Sequence, residues 1–262
     1  MVQALSIEKT SSTQIPSDEW ELRIELAAAY RLVDYFGWCE LIYGHLTAHT
    51  PGLEPHFLIN PYGLNYDEIT ASNLVKIDID GIPVESTSHP ISEAGFVIQS
   101  AIHSMEAAEN RVVMHSHSRA GMAIAALRHG LLPISMNATL FFDDSAYHDF
   151  EGPSLKLGER ERLIKNLGNR NIMILRTHGL LTCGKELEEA FILMFRLQRA
   201  CEIQIAAQGS GVELVDPPKQ VCEQSAELTD NFLSDNDSQE TGKLEFDAFL
   251  RLMDQKDPTY QR

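Results

Sequence analysis

Ten histidines are spread along this chain, and two of them, His115 and His117, stand two residues apart at the end of an apolar run, Val112-Val113-Met114. Side chains alternate along a β-strand, so residues two apart share a face and these imidazoles project side by side. His178 has the same kind of placement. It follows a second apolar stretch, Asn171–Arg176, and precedes Gly179. Three imidazoles on two strand ends match the protein ligands of a catalytic zinc site, which keeps one position open for water or substrate. Glu93, beside the helix-capping Ser92, is the fourth member of the set. A helix N-terminus favours its ionised carboxylate, which could ligate the resting metal and act as general base once displaced by substrate. Taken singly, each residue has a plainer reading, as a locally hydrogen-bonded loop imidazole or an ordinary first-turn acid. The joint pattern is what points to a metal.

Several elements must bring these residues together. Ser17-Asp18-Glu19 opens a helix whose Leu22, Leu26, Ala29, Tyr30 and Val33 recur at helical spacing, and Gly37 ends it. Strands are expected over Glu40–Thr50 (with a special turn at Gly44-His45), His56–Asn60 and Val75–Ile79. A helix begins at Ser92, a strand covers Val112–His115, and Ser118–Leu127 is helical. Met136–Pro153 reads as a strand followed by a lid or interface loop. Helix Gly158–Leu167 precedes strand Asn171–Arg176, its hairpin partner Leu180–Cys183, and a long apolar helix, Leu187–Ala207. Strands and helices are mixed rather than strictly alternating, which predicts one α/β domain with a mixed or largely antiparallel sheet. The expected organisation is a mobile arm over 1–16, the catalytic domain over 17–208, and a flexible acidic segment with a C-terminal helix over 209–262.

Composition narrows the function classes. The net charge of -17 argues against nucleic acid or an anionic membrane as partner, since phosphate contacts need clustered Lys and Arg. No signal-peptide pattern or membrane-length apolar run is present. Cys39, Cys183, Cys201 and Cys222 are scattered, which fits a reduced, cytoplasmic protein. A small molecule is the expected ligand.

Ser92-Glu93, His115-x-His117 and Thr177-His178-Gly179-Leu180, in this order, resemble the class II aldolase/adducin family. The likeness runs from about Leu22 to Ala207 and is nearest to the adducin-like branch. Its recurring blocks are matched by Ile59-Asn60-Pro61-Tyr62-Gly63-Leu64, Glu68–Asp78, Leu131-Leu132-Pro133-Ile134-Ser135 and Ala146-Tyr147-His148-Asp149. The resemblance implies a three-layer α/β/α fold with a central mixed sheet, and a homotetramer with active sites at subunit interfaces. It further implies zinc held by His115, His117 and His178, with Glu93 as acid/base. The adducin branch often lacks that carboxylate, and its presence here favours an enzyme.

Family aldolases hold a substrate phosphate with a Gly-Asn turn and a Ser-Gly turn. This chain has Gly44-His45-Leu46-Thr47 and Asn60-Pro61-Tyr62-Gly63 in those places. Gly44, His45, Thr47, Asn60, Tyr62 and Gly63 are therefore the candidate substrate contacts, for a carboxylate, an unphosphorylated hydroxy-ketone or an aromatic compound. His45 could equally be a packed turn residue. The leading expectation is metal-dependent carbon–carbon bond cleavage or formation, with Tyr260 of the C-terminal segment or Tyr147 protonating the leaving carbon. Two alternatives use the same residues. One is an Fe2+ oxygenase acting on an aromatic or hydroxy acid, and the other a non-catalytic adducin-like interaction module.

Overall fold

A computed structural model of the chain describes residues 15–105, 111–152, 157–234 and 242–262, without the side chains of 93–94, 157 and 228–234. Helix α1 (Ser17–Tyr35) buries Leu26, Ala29, Tyr30 and Val33, the stripe whose spacing predicted it. Strands β1 (His45–His49), β2 (Phe57–Ile59) and β3 (Val75–Ile77) follow, then α2 (Glu93–His103), β4 (Val112–Ser116) and α3 (Arg119–Ala126). Next come a short α4 (Met136–Thr139), β5 (Ala146–His148), α5 (Arg160–Leu167), β6 (Ile172–Leu175) and β7 (Gly179–Gly184). The long α6 (Leu187–Gly209), α7 (Lys219–Ser234) and α8 (Lys243–Lys256) complete the order.

The strands form one sheet in the order β3-β2-β1-β4-β7-β6-β5. Every pairing is antiparallel except β5 with β6. Alternation divides the strands between two cores. Leu46, Ala48, Val112, Met114 and Leu180 face α1 and α6, whereas Val113, Met173, Leu175, Leu181 and Cys183 face α2 and α5. This is the expected three-layer α/β/α arrangement. His45, His115 and His117 have the parity of the α2 face.

A buried hydroxyl ties the first helix to the sheet. Tyr30 Oη lies 2.6 Å from the Leu46 carbonyl and 2.9 Å from Asn60 Oδ1, and it accepts the Leu46 N–H at 2.8 Å. Nearby, buried Arg23 is neutralised by Glu19 at 3.0 Å and donates to the Leu74 carbonyl at 2.8 Å. A buried guanidinium is tolerable only with such partners. The two rim strands, β3 and β5, are three residues each. On β3, Pro83 bridges to Ile77 and the Val84 N–H donates to the Lys76 carbonyl at 3.0 Å.

Three local expectations are corrected. Met136–Thr139 is helical rather than extended, because Ser135 caps it by accepting the Ala138 N–H. The segment after Gly209 contains α7, where Cys222 is buried and Ser225 hydrogen-bonds Thr139 at 2.9 Å. The C-terminal tail is pinned. Tyr260 and Arg262 accept the Ala71 and Ser72 amides at 2.8 Å, and Tyr260 is 2% exposed. The N-terminal arm up to residue 14, Pro153 of the expected lid, and residues 235–241 of the acidic segment lie outside the described residues. Among the described residues, no helix is long and apolar enough to cross a membrane.

Candidate metal centre

Strand β4 sits at the centre of the sheet, between β1 and β7. His115 is its penultimate residue, and His117 follows just beyond the strand end. The third histidine arrives from the other side. Strands β6 and β7 join through a turn closed by the His178 N–H to the Leu175 carbonyl at 3.0 Å. Thr177 takes the left-handed region there, φ 58°, unusual for a β-branched residue. Its N–H is anchored on the Ala125 carbonyl at 3.1 Å. Gly179 then permits the close approach of this turn to β4. A Cβ at that position would overlap the Ser116 carbonyl and lie 3.2 Å from His117 Cδ2 and 3.4 Å from His115 Cε1.

The three imidazoles meet. Ring centroids are 4.6 Å apart for His115–His117, 4.7 Å for His115–His178 and 4.8 Å for His117–His178. One nitrogen from each lies within 4.8 Å of the others. His115 Nδ1 donates to the Leu180 carbonyl at 2.9 Å, which leaves its Nε2 with a lone pair. His117 Nδ1 is 3.5 Å from the half-exposed Glu40 carboxylate, which leaves its Nε2 turned into the cluster. These two Nε2 atoms face each other at 2.8 Å. Three converging imidazole nitrogens, two of them on rings oriented by an oxygen on the far side, are a donor set that fits a metal ion.

Burial keeps these ligands neutral. It pushes His115 well below the ordinary imidazole value, with the charges of His178 and His117 adding to the effect. Burial lowers His117, against a smaller opposing effect of Glu40. His178 falls to about 4, first through burial and then through His117 and His148. Neutral imidazole is the form that binds metal.

A cavity of about 190 Å³ adjoins the cluster, walled by Ile42, Tyr43, Gly44, His45, Ile98 and Phe150 among others. Helix α2 points its N-terminus at this space, with Ser92 capping the Gly95 N–H at 3.2 Å and both residues on the wall. Glu93 begins that helix between them, and its side chain is outside the described residues. Gly44, φ 86°, could not carry a side chain, since its Cβ would lie 2.9 Å from Tyr66 Oη and 3.0 Å from the His115 carbonyl.

The other candidates are elsewhere. Thr47 bonds Gln99 and His103 beneath α2. Asn60 is engaged by Tyr30. Tyr62 donates its amide to the Pro90 carbonyl, and Gly63 is exposed. None of these four lines the cavity. Tyr147 Oη accepts the Leu131 N–H at 3.1 Å while Arg176 covers its ring. Tyr260 is buried with its hydroxyl on Asp254 at 2.6 Å. Neither tyrosine lines the cavity within this chain. Reasoning from sequence missed Glu40 and Phe150. Both lie close to recognised residues, yet no spacing rule marks them.

Comparison with known proteins gives a consistent picture. Residues 24–205 match the family described as Class II Aldolase and Adducin N-terminal domain. The crystal structure of an aldolase II superfamily protein from Pseudomonas syringae is 44% identical with a TM-score of 0.87, covering 95% of this chain and 98% of that one. Alpha-adducin of Mus musculus is 39% identical over 255 residues, which span 93% of this chain and 34% of adducin. The L-fuculose 1-phosphate aldolase of Glaciozyma antarctica, at 22% identity and a TM-score of 0.80 over 97% of both chains, shares the fold. With likeness of that extent, the chain belongs to the class II aldolase and adducin family.

Proposed function

We propose that this protein is a divalent-metal-dependent lyase that opens or forms the carbon–carbon bond beside a carbonyl in a small hydroxy-carbonyl compound. The observation that carries the reading is the convergence of one ring nitrogen each from His115, His117 and His178 within 4.8 Å of one another. Three neutral histidines and an open position suit zinc, which when bound supplies Lewis acidity to a carbonyl oxygen. Leu180 and Glu40 orient the ligand rings. Glu93, at the start of α2, is assigned the proton transfers. It takes the hydroxyl proton as the bond opens, the bonding pair passes to the neighbouring carbonyl, and the proton is returned to carbon.

Membership in an aldolase family and an open-mouthed cavity beside the histidines support an enzymatic role. The size of that cavity favours a small substrate. A homotetramer with sites at its seams is proposed with it, supported by Tyr43 and Phe150, which line the cavity and are 47% and 52% exposed. Four free cysteines suit a reducing, cytoplasmic setting.

The test is solvent deuterium exchange, followed by NMR, into the carbon-bound hydrogens of α-hydroxy-ketones and α-hydroxy acids. The zinc-loaded protein should exchange at least one of them, and His115→Ala and Glu93→Gln should lose that activity. Equal rates in all three proteins would overturn the proposal. The 39% identity to alpha-adducin favours one second reading, an interaction module. It predicts that Glu93→Gln changes nothing catalytic.

A further inference from the structure

Of the three clustered imidazoles, His117 is the one that sheet pairing does not fix. The ladder between β4 and β7 ends where Ser116 faces Leu180, one residue before it. His115 lies inside that ladder, and His178 sits in the turn closed on the Leu175 carbonyl. His117 is instead flanked by two buried serines, Ser116 and Ser118. A single side chain of α6 holds both. Gln198 Nε2 donates to Ser116 Oγ at 2.7 Å, and Ser118 Oγ donates to Gln198 Oε1 at 2.5 Å. Gln198 itself is 0% exposed.

This network has little freedom to rearrange. Ser118 Oγ also accepts the Gly121 N–H at 3.0 Å, as the cap of α3, so its proton is directed at the amide oxygen. Ser116 Oγ donates in turn to Met194 Sδ at 3.7 Å. Both polar atoms of the amide and both hydroxyls therefore have partners. Around them α6 buries Met194, Leu197 and Cys201, where an apolar side chain would pack without needing any partner. A fully satisfied polar network at such a place specifies one geometry. Its reach extends to a second imidazole. Near the other end of α3, the Ala125 carbonyl accepts the Thr177 N–H at 3.1 Å, immediately before His178.

We propose that Gln198 is a positioning residue of the metal centre, whose one amide grips the serines on both sides of His117 and sets the line along which that imidazole enters the cluster. This rests on the metal-binding part of the lyase reading, and it does not depend on which bond is broken.

Gln198→Met tests the assignment, because methionine matches glutamine in length and helix propensity while removing both hydrogen bonds. Zinc affinity, read by competition with a chelator, should fall roughly tenfold, the scale on which supports behind metal ligands act. The visible absorption of the Co2+-loaded protein reads ligand geometry and should shift. A merely structural role would lower the melting temperature and leave that absorption in place. Ser116→Ala spares the Ser118 cap and should show part of the same loss. Added to Gln198→Met, it should have less effect than it has alone. If Gln198→Met fails to fold, the same two readouts on Ser116→Ala decide. A zinc affinity within about twofold of the unaltered protein, an unmoved Co2+ absorption, or full additivity of the two variants would overturn the proposal. Failure of the unaltered protein to bind either metal would overturn it together with the lyase reading. Weakened, shifted metal binding in Gln198→Met, with no deuterium exchange by the unaltered protein, would refute the lyase reading alone. Exchange by the unaltered protein with unchanged metal binding in Gln198→Met would do the reverse.

Discussion

Gly179→Ala probes how the three clustered histidines, the proposed metal ligands, are brought together without altering any of them. The backbone of Gly179 carries no positive φ, so alanine brings no conformational penalty there and the effect is steric. The new methyl would overlap the Ser116 carbonyl and press on His117 Cδ2 at 3.2 Å and His115 Cε1 at 3.4 Å. Relief requires the start of β7, and His178 with it, to retreat from β4 by about 1 Å. Metal–ligand distances tolerate only about 0.2 Å. Overpacking of this kind costs about 1–3 kcal/mol. If all of it falls on metal binding, zinc affinity drops by roughly 5- to 150-fold. Competition against a chelator of known affinity reads the change, with circular dichroism as the check on folding. A dissociation constant within about twofold of the wild type would refute the reasoning, since the turn would then move without disturbing the ligands.

Other consequences can be tested on the same protein. Glu40→Gln removes the carboxylate 3.5 Å from His117 Nδ1 and should weaken zinc binding by roughly tenfold while leaving the melting temperature unchanged. The metal-free protein should lose stability as pH falls from 6.5 towards 4. The unfolded chain takes up protons on His178 from about 6.5, the folded chain only near 4, so the stabilisation is complete above 6.5 and is lost on acidification. Urea midpoints across that range should fall less steeply in His178→Gln. Tyr260→Phe removes the hydroxyl bonded to Asp254 and should cost about 1 kcal/mol of stability with no change in deuterium exchange. A drop in exchange of more than about tenfold would restore Tyr260 to the chemistry.

The three clustered histidines were legible because strand alternation and a following glycine are local signals. His115-x-His117 and His178-Gly179 each announce a face and an approach, and β4 and β7 turn out to be adjacent. The long helices were legible for the same reason, their apolar spacing surviving any tertiary context. Alternation gives a face but not a distance along it. Thr47 shares the parity of His45, yet it lies one step further under α2 and serves Gln99 and His103. Asn60 has the right chemistry for a substrate contact but is consumed by Tyr30, a residue thirty positions earlier that no local pattern connects to it. Helix α7 was hidden by its polar composition. Its Lys, Gln, Glu and Ala are good helix formers whose propensity was outweighed by the look of a solvated linker.

The short rims of the sheet bear on how copies of this chain can meet. Strand addition requires a run of free backbone donors and acceptors along an edge. Strand β3 already spends part of its outer side on Pro83 and Val84, and β5 presents only three residues. Neither rim is long enough to template a continuous intermolecular ladder. Growth of the sheet from one molecule into the next is thereby discouraged, which leaves side-chain surfaces to govern association and guards the chain against fibrous aggregation through its edges.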